Sequence, residues 1–339
     1  MTYQINFLIL LPVFLGAVIL FIMFTRWKPI PPFLIFTTGN INLVSMEYES
    51  SLHTQENIES IRNVYLKTMI VTITGYAFKD DPYKTANGYN VNIGGFKNEI
   101  RRKGSDWPTI GFTMVGTEAL ENIGELLHKV FTQEIEGDFL EAGVWRGGAS
   151  IFAKAMVQAY GQTSRHNWVC DSFQGLPKAT NAKDADWWSK LSKLKQGKEI
   201  VSRNFEEFFL LDNQVHLVEG YFVYSLPCLR NEFIYNGKKL AVLRADGDMY
   251  ESSMDILYSL YEFVSVGGFV IIDDYGIREC KQAVDEFRKK FDILEPIVFL
   301  VGQEMRMYWR VERKIKIDYK WYQDFVKARD LDDSKLTCF

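Results

Sequence analysis

Five short apolar runs, each ending in an acidic or glycine residue, alternate with helical stretches and constrain the fold more than any other feature. The runs are Gly137–Gly143, Asn167–Asp171, Val215–Glu219, Lys239–Asp246 and Gly268–Asp274. Continuous apolar strands separated by helices are typical of a parallel sheet that is buried on both faces. The pattern predicts a doubly wound, Rossmann-like α/β domain whose ligands bind beyond the carboxyl ends of the strands.

Apolar residues at helical spacing fill the intervals between these runs and also precede them. Within the α/β pattern the predicted helices are Ile151–Tyr160, Asn204–Leu211, Ser252–Phe263 and Cys280–Phe291. Two amphipathic helices, Ile58–Ile73 and Thr117–Phe131, come before the first strand. We expect these two to form an N-terminal helical lid.

The N-terminus differs from the rest, because Phe7–Phe24 carries no charge over eighteen residues. As a helix the run is about 27 Å long, close to the thickness of a bilayer core. It predicts a single transmembrane helix, with a cleaved signal peptide or a buried core helix as alternatives. Arg26 and Lys28 follow the run, so the positive-inside rule predicts a cytosolic domain behind it.

The domain division and the composition narrow the kinds of ligand and cofactor that the chain can bind. We divide the chain into an anchor (1–28), a linker (29–57), an α/β domain (58–311) and a C-terminal tail (312–339). The net charge of −4 argues against a nucleic-acid partner, which requires a basic surface, and favours a small-molecule ligand. The four cysteines are widely spaced, which indicates neither a zinc site nor a dense disulfide framework. Monomer and homodimer both remain open.

The turn after the first strand is a candidate cofactor loop. Glycines such as Gly143 let a ligand approach the backbone closely. Trp145 stands where a dinucleotide fingerprint needs its second glycine, which disfavours a nicotinamide cofactor. S-adenosylmethionine has no phosphate, so Glu141 could receive its ammonium group and Asp171, after the second strand, its ribose hydroxyls. A tight structural turn and a capping role for Asp171 are the alternatives.

Carboxylates follow the last two strands of the pattern. Asp246, Asp273 and Asp274 are expected to meet at one edge of the sheet, and carboxylates that close repel one another unless a cation lies between them. Oxygen ligands suit Mg²⁺, which binds substrate oxygens and lowers their pKa. Asp248 lies two residues past Asp246 and is the candidate general base. The alternative is a turn that caps the next helix.

Taken together, these motifs are similar to those of the macrocin O-methyltransferase (TylF-type) family. The resemblance rests on Arg62–Tyr65, Asp106–Pro108, Thr113–Gly116, Glu141–Gly148, Asp171–Pro177, Arg203–Phe205, Glu219–Phe222, Arg244–Ser252, Ser265–Gly268 and Asp273–Gly276. It covers about residues 58 to 311 and is looser over Ala179–Glu199, where a loop facing the acceptor is expected.

The resemblance implies a Mg²⁺-dependent class I O-methyltransferase that acts on a hydroxyl of a small molecule or glycoside. Asp246, Asp273 and Asp274 match the metal ligands of the family, and Asp248 matches its base. The cofactor roles carry over to Thr113, Met114, Val115, Glu141, Gly143 and Asp171, with Ser172 beside them. Two other functions stay open: a membrane-tethered, catalytically inactive binding protein, and a nicotinamide-dependent oxidoreductase, which Trp145 opposes.

Overall fold

The computed structural model describes residues 55–83 and 94–338, together with the backbone of three short strands. The chain divides into two units, Met1–Ile61 and Arg62–Phe339. In the first unit β1 (Ile9–Leu10), β2 (Val18–Phe21) and β3 (Leu34–Phe36) form a three-stranded antiparallel sheet. The predicted linker, residues 29–57, lies mostly outside the described residues.

The prediction of a single-pass membrane protein with a cytosolic domain is wrong. Much of Phe7–Phe24 lies outside the described residues, and its described part is β1 and β2, which pair antiparallel with Ile9 opposite Phe21. The chain therefore reverses direction within the run. In the part of the chain that the structure describes, no helix is long and apolar enough to cross a bilayer. A uniformly apolar run has no periodicity, so its pattern does not separate a helix from a strand.

A seven-stranded sheet organises the second unit. Five parallel strands confirm the predicted runs: β4 (Asp138–Ala142), β5 (Asn167–Asp171), β6 (Val215–Glu219), β7 (Leu240–Ala245) and β8 (Val264–Ile272). Two antiparallel strands that the sequence did not indicate, β9 (Val298–Phe299) and β10 (Met307–Arg310), extend it in the order β6-β5-β4-β7-β8-β10-β9. The sheet is therefore mixed. β4 lies inside it, paired with β5 on one side and with β7 on the other, so the strand order changes direction at β4.

Helices cover both faces of this sheet, as the α/β pattern predicts. They are α1 (Gln55–Ile73), α2 (Asn98–Lys103), α3 (Gly116–Thr132), α4 (Gly148–Ala159), α5 (Lys198–Glu207), α6 (Phe222–Asn236), α7 (Tyr250–Leu260), α8 (Arg278–Lys290) and α9 (Tyr319–Lys327). α3 and α4 belong to one apolar core, and α6 to α9 belong to the other. The predicted helices correspond to α1, α3, α4, α5, α7 and α8, although α5 begins at Lys198 rather than Asn204.

The residues after β10 return to the body of the domain. In α9, Tyr322 and Val326 are buried in the core that α6, α7 and α8 also build. A disulfide joins Cys228 of α6 to Cys338. The segment predicted as a C-terminal tail thus contributes to the core of the second unit.

A buried ion pair fixes the segment that leads into α3. The guanidinium of Arg101 is fully buried, donates two hydrogen bonds to Asp106 at 2.8 and 2.7 Å, and donates to the carbonyls of Thr74 and Asp80. All its partners are oxygens in the same unit. A buried charge with this many partners is well compensated, and removing one carboxylate leaves it unpaired.

We predict that Asp106→Ala destabilises the protein by about 3–5 kcal/mol, because the Arg101 charge stays buried without its partner. Urea unfolding followed by circular dichroism measures this loss. Glu99→Ala is the matched control, since Glu99 pairs with Arg102 in an exposed contact that is worth at most about 1 kcal/mol. Equal losses in the two variants would contradict a structural role for the buried pair.

Candidate active site

One cavity of about 590 Å³ lies beyond the carboxyl ends of the parallel strands. Its lining contains every site residue that the sequence singled out: Thr113, Met114, Val115, Glu141, Gly143, Asp171, Ser172, Asp246, Asp248, Asp273 and Asp274. They come from the loop before α3 and from the ends of β4, β5, β7 and β8. Parallel strands deliver them to the same edge of the sheet, as doubly wound folds do.

The turn after β4 requires glycine for a physical reason. Gly143 has φ of +94°, and a Cβ at this position would lie 1.8 Å from the carbonyl oxygen of Asp246. Gly148, the first residue of α4, is equally restricted, because its Cβ would lie 2.5 Å from the carbonyl oxygen of Phe112. The glycines let the turn pack directly against the end of β7 and against the residues just before Thr113. Both the turn and Thr113 then line the cavity.

Asp171 is oriented by backbone donors. Its carboxylate accepts hydrogen bonds from the N–H groups of Val144 at 2.9 Å and Phe173 at 2.8 Å. Burial raises the pKa of Asp171, and these hydrogen bonds oppose the rise. Since each carboxylate oxygen accepts more than one hydrogen bond, the capping role and a ligand role are compatible. The adjacent Ser172 hydroxyl donates to the Gly175 carbonyl at 2.6 Å, which fixes the turn after β5.

Glu141 is the most deeply buried of the acidic cavity residues, at 1% exposure. Its carboxylate accepts a hydrogen bond from the Ser150 hydroxyl and forms an ion pair with Arg244. Burial raises the pKa of Glu141 to about 7, with Arg244 and Ser150 opposing the rise. The carboxylate is therefore fixed in place by protein groups before any ligand binds.

Arg244 organises the carboxylates, although the sequence assigned it no role. It is 1% exposed and forms ion pairs with Glu141, with Asp246 at 2.9 Å and with Asp273. Arg306 adds a second ion pair to Asp273, also at 2.9 Å. The signal for Arg244 was available, because an arginine inside an otherwise apolar buried strand needs carboxylate partners. Arg306, in the loop before β10, carried no such signal.

The four aspartates fall into two groups. Asp246, Asp248 and Asp274 each offer a carboxylate oxygen within 4.8 Å of the others. Burial and the neighbouring carboxylates raise the pKa values of Asp248 and Asp274 well above their usual range. Burial also disfavours the charged form of Asp273, but Arg244 and Arg306 outweigh it and hold the pKa of that carboxyl below its ordinary value. Asp273 is therefore balanced by two arginines. The other three share a single arginine contact, from Arg244 to Asp246, and Asp248 and Asp274 form no ion pair among the described residues, so we call these three the cation-poor cluster.

The backbone around Asp248 is constrained. Asp248 has φ of +53°, in the left-handed region that non-glycine residues seldom adopt, and its N–H donates to Asp274 Oδ2 at 3.0 Å. Outliers of this kind concentrate at functional sites, where surrounding contacts maintain them. The conformation places a second carboxylate of the β7 turn beside Asp274, two residues after Asp246.

The loop expected to face the acceptor is fastened to the first turn of α7. Asp184 accepts hydrogen bonds from the N–H groups of Tyr250 at 2.7 Å and Glu251 at 2.9 Å, so it caps a helix that has no side-chain cap of its own. Thr180 donates to Glu251 through its hydroxyl at 2.8 Å. The sequence did not indicate these contacts, because they join residues about 70 positions apart.

Comparisons with known proteins agree with this geometry. The model of the Macrocin-O-methyltransferase (TylF) family matches residues 64–311. Demethyldecarbamoylnovobiocin O-methyltransferase of Streptomyces niveus is 37% identical over 77% of this chain and 98% of its own length. Mycinamicin III 3''-O-methyltransferase of Micromonospora griseorubida is 37% identical over 73% of this chain and 96% of its own.

A solved structure shows the same fold. The O-methyltransferase NovP superposes with a TM-score of 0.67 at 38% sequence identity, over 74% of this chain and 100% of that chain. These findings confirm the resemblance and favour an enzyme over an inactive binding protein or a nicotinamide-dependent oxidoreductase. The chain belongs to the macrocin O-methyltransferase (TylF) family and is an S-adenosylmethionine-dependent O-methyltransferase.

Proposed function

We propose that this enzyme transfers a methyl group to a sugar hydroxyl of a glycosylated small molecule, with a divalent metal held by Asp246, Asp273 and Asp274. The single observation that carries the proposal is the cavity in which the cation-poor cluster lies beside the cofactor-binding candidates. The names of the relatives support the substrate class, since one methylates position 3'' of mycinamicin III and another position 4' of a dimethoxyrhamnosyl tetracenomycin.

We assign the successive parts of S-adenosylmethionine to the ends of neighbouring strands. We assign its ribose hydroxyls to Asp171, whose carboxylate is already oriented by Val144 and Phe173. Gly143 permits close approach to the chain after β4, and Glu141 lies at the methionine end. The backbone of Thr113, Met114 and Val115, with Ser172, completes the lining of this part of the cavity.

A divalent cation suits the donor set of the cluster. Three carboxylates within 4.8 Å of one another repel unless protons or a cation neutralise them, and oxygen-only ligands favour Mg²⁺. We assign the metal to Asp246 and Asp274 of the cluster and to Asp273, which lies outside it, and we leave the third member of the cluster, Asp248, for proton transfer. Asp273 uses Oδ1 for both arginines, so Oδ2 is the oxygen assigned to the metal. When bound, the metal acts as a Lewis acid that lowers the pKa of the substrate hydroxyl.

Asp248 is the base in this mechanism. Its carboxylate lies within 4.8 Å of those of Asp246 and Asp274, next to the place proposed for the substrate hydroxyl, so it is positioned to accept the hydroxyl proton. The substrate oxygen attacks the methyl carbon, the bond from that carbon to the cofactor sulfur breaks, and the hydroxyl proton goes to Asp248. Asp274 accepts the Asp248 N–H and so holds the base in its left-handed conformation.

We predict that Asp171→Ala weakens S-adenosylmethionine binding by roughly 10², because two hydrogen bonds to a charged acceptor are lost. Isothermal titration calorimetry on the full chain measures the affinity. Asp324→Ala, an exposed change on α9 outside the cavity, should leave the affinity unchanged. Unaltered binding by Asp171→Ala would refute the assignment of Asp171 to the ribose.

Asp248→Asn should lower kcat by roughly 10² or more, the usual contribution of a positioned base, while S-adenosylmethionine affinity stays within about twofold. S-adenosylhomocysteine formation with 4-nitrophenyl α-L-rhamnopyranoside as the acceptor reports kcat. Asp324→Asn, an exposed change on α9, serves as the control. A kcat close to the wild-type value would assign the proton transfer to another group.

Chelation should abolish turnover, and added Mg²⁺ should restore it. In Asp273→Asn the Mg²⁺ concentration that restores half of the activity should rise about tenfold or more, because one charged ligand is lost. Activity is measured against the same rhamnoside after dialysis with EDTA. If the dialysed wild-type enzyme remains fully active, the metal assignment fails and the carboxylates only orient the substrate.

A further inference from the structure

The end of the chain forms part of the cavity wall. The family model stops at residue 311, and residues 328–338, which we call the strap, follow α9. Five strap residues line the same cavity as the four aspartates: Arg329, Asp330, Leu331, Asp332 and Lys335. This wall therefore comes from a part of the chain that the family model does not cover.

Arg329 anchors the start of the strap. Its side chain is 4% exposed and forms ion pairs with Asp255 at 2.7 Å and Glu251 at 3.2 Å, both on α7. It also donates to the Thr180 hydroxyl at 3.0 Å, and Thr180 itself donates to Glu251. Buried charges with several partners hold their segments firmly. One network thus joins the strap, α7 and the loop that faces the acceptor.

Further contacts fasten the rest of the strap to α6. The Asp332 N–H donates to the Tyr224 hydroxyl at 3.2 Å, and the Asn231 side chain donates to the Cys338 carbonyl at 3.0 Å. The Cys228–Cys338 disulfide closes this connection. The strap is therefore held at its start by Arg329 and at its end by Cys338, and the exposed residue Asp330, directly after Arg329, lines the cavity.

A tryptophan pair in the acceptor-facing loop lines the same cavity. The rings of Trp187 and Trp188 stack with centroids 4.1 Å apart. Trp188 is 7% exposed, and its indole N–H has no hydrogen-bond partner among the described residues. Buried donors in native proteins are nearly always paired, so this one calls for a partner that the described residues do not supply.

We propose that the strap and the tryptophan pair form the subsite that selects the acceptor. Asp330 accepts hydrogen bonds from hydroxyl groups of the acceptor, Trp188 donates its indole N–H to an acceptor oxygen, and the indole faces pack against the apolar face of a sugar ring. The ligand class is a polyhydroxylated ring attached to an aglycone. The inference deepens the proposed function and rests on it, since it names the residues that recognise the sugar.

Two variants test the subsite on the full chain. Asp330→Asn replaces the charged acceptor by a neutral amide, and Trp188→Phe removes the indole N–H, so each should raise the KM for 4-nitrophenyl α-L-rhamnopyranoside about tenfold. The calorimetric affinity for S-adenosylmethionine should stay within about twofold. Asp333→Asn is the matched control, because Asp333 belongs to the strap but does not line the cavity, and its KM should equal that of the wild type.

The possible outcomes distinguish a failure of the proposed subsite from a failure of the proposed function. If the wild type methylates the rhamnoside and either variant keeps a wild-type KM, the subsite is refuted while the proposed function stands. Wild-type enzyme that binds the rhamnoside without methylating it contradicts the proposed function, and the subsite is then judged by whether both variants weaken that binding. Wild-type enzyme that neither binds nor methylates it refutes the assignment of the subsite to sugar rings.

Discussion

The buried guanidinium of Arg244 is the constraint on which the site depends. It forms ion pairs with Glu141 at the end of β4, with Asp246 just past the end of its own strand, and with Asp273 just past β8. These three strands are neighbours in the sheet, with Glu141 beside Arg244 and Arg244 beside Ile271. A single cation therefore links the cofactor end of the cavity to its acidic end. Removing it would leave several buried carboxylates uncompensated, which is among the most destabilising changes a core can suffer.

Charge balance then separates the roles of the acidic residues. Arg244 and Arg306 neutralise Glu141 and Asp273 in part, so the pKa of Asp273 is lowered, whereas the pKa values of Asp248 and Asp274 are raised by burial and by neighbouring carboxylates. Protein cations thus balance Glu141 and Asp273, whereas Asp248 and Asp274 form no ion pair among the described residues. This unequal distribution supports the proposed metal site.

The sequence predicted what depends on local pattern and missed what depends on contacts between distant segments. Acidic residues after apolar runs predicted the parallel strands and the shared edge, because strand direction alone brings Asp171, Asp246 and Asp273 together. α6 escaped prediction since Pro227 interrupts its pattern, and Phe7–Phe24 was misread since an unbroken apolar run carries no period. The Asp184 cap and the Arg329 network join residues about 70 positions apart, so no local signal marks them.

The two halves of the cavity come from different kinds of structure. This difference allows the reaction and the choice of acceptor to depend on different segments. Rigid strand ends carry the cofactor candidates and the aspartates, whereas a loop and the strap form the rest of the wall. Both of these segments are fastened to the first turns of α7, through Asp184, Thr180 and Arg329, and α7 begins directly after the turn that holds Asp248. The loop, the strap and the proposed base Asp248 are therefore all positioned by the same helix, α7. If the strap selects the acceptor, as we propose, a change in the strap should alter which acceptors bind, while α7 keeps the rest of the wall in place relative to Asp248.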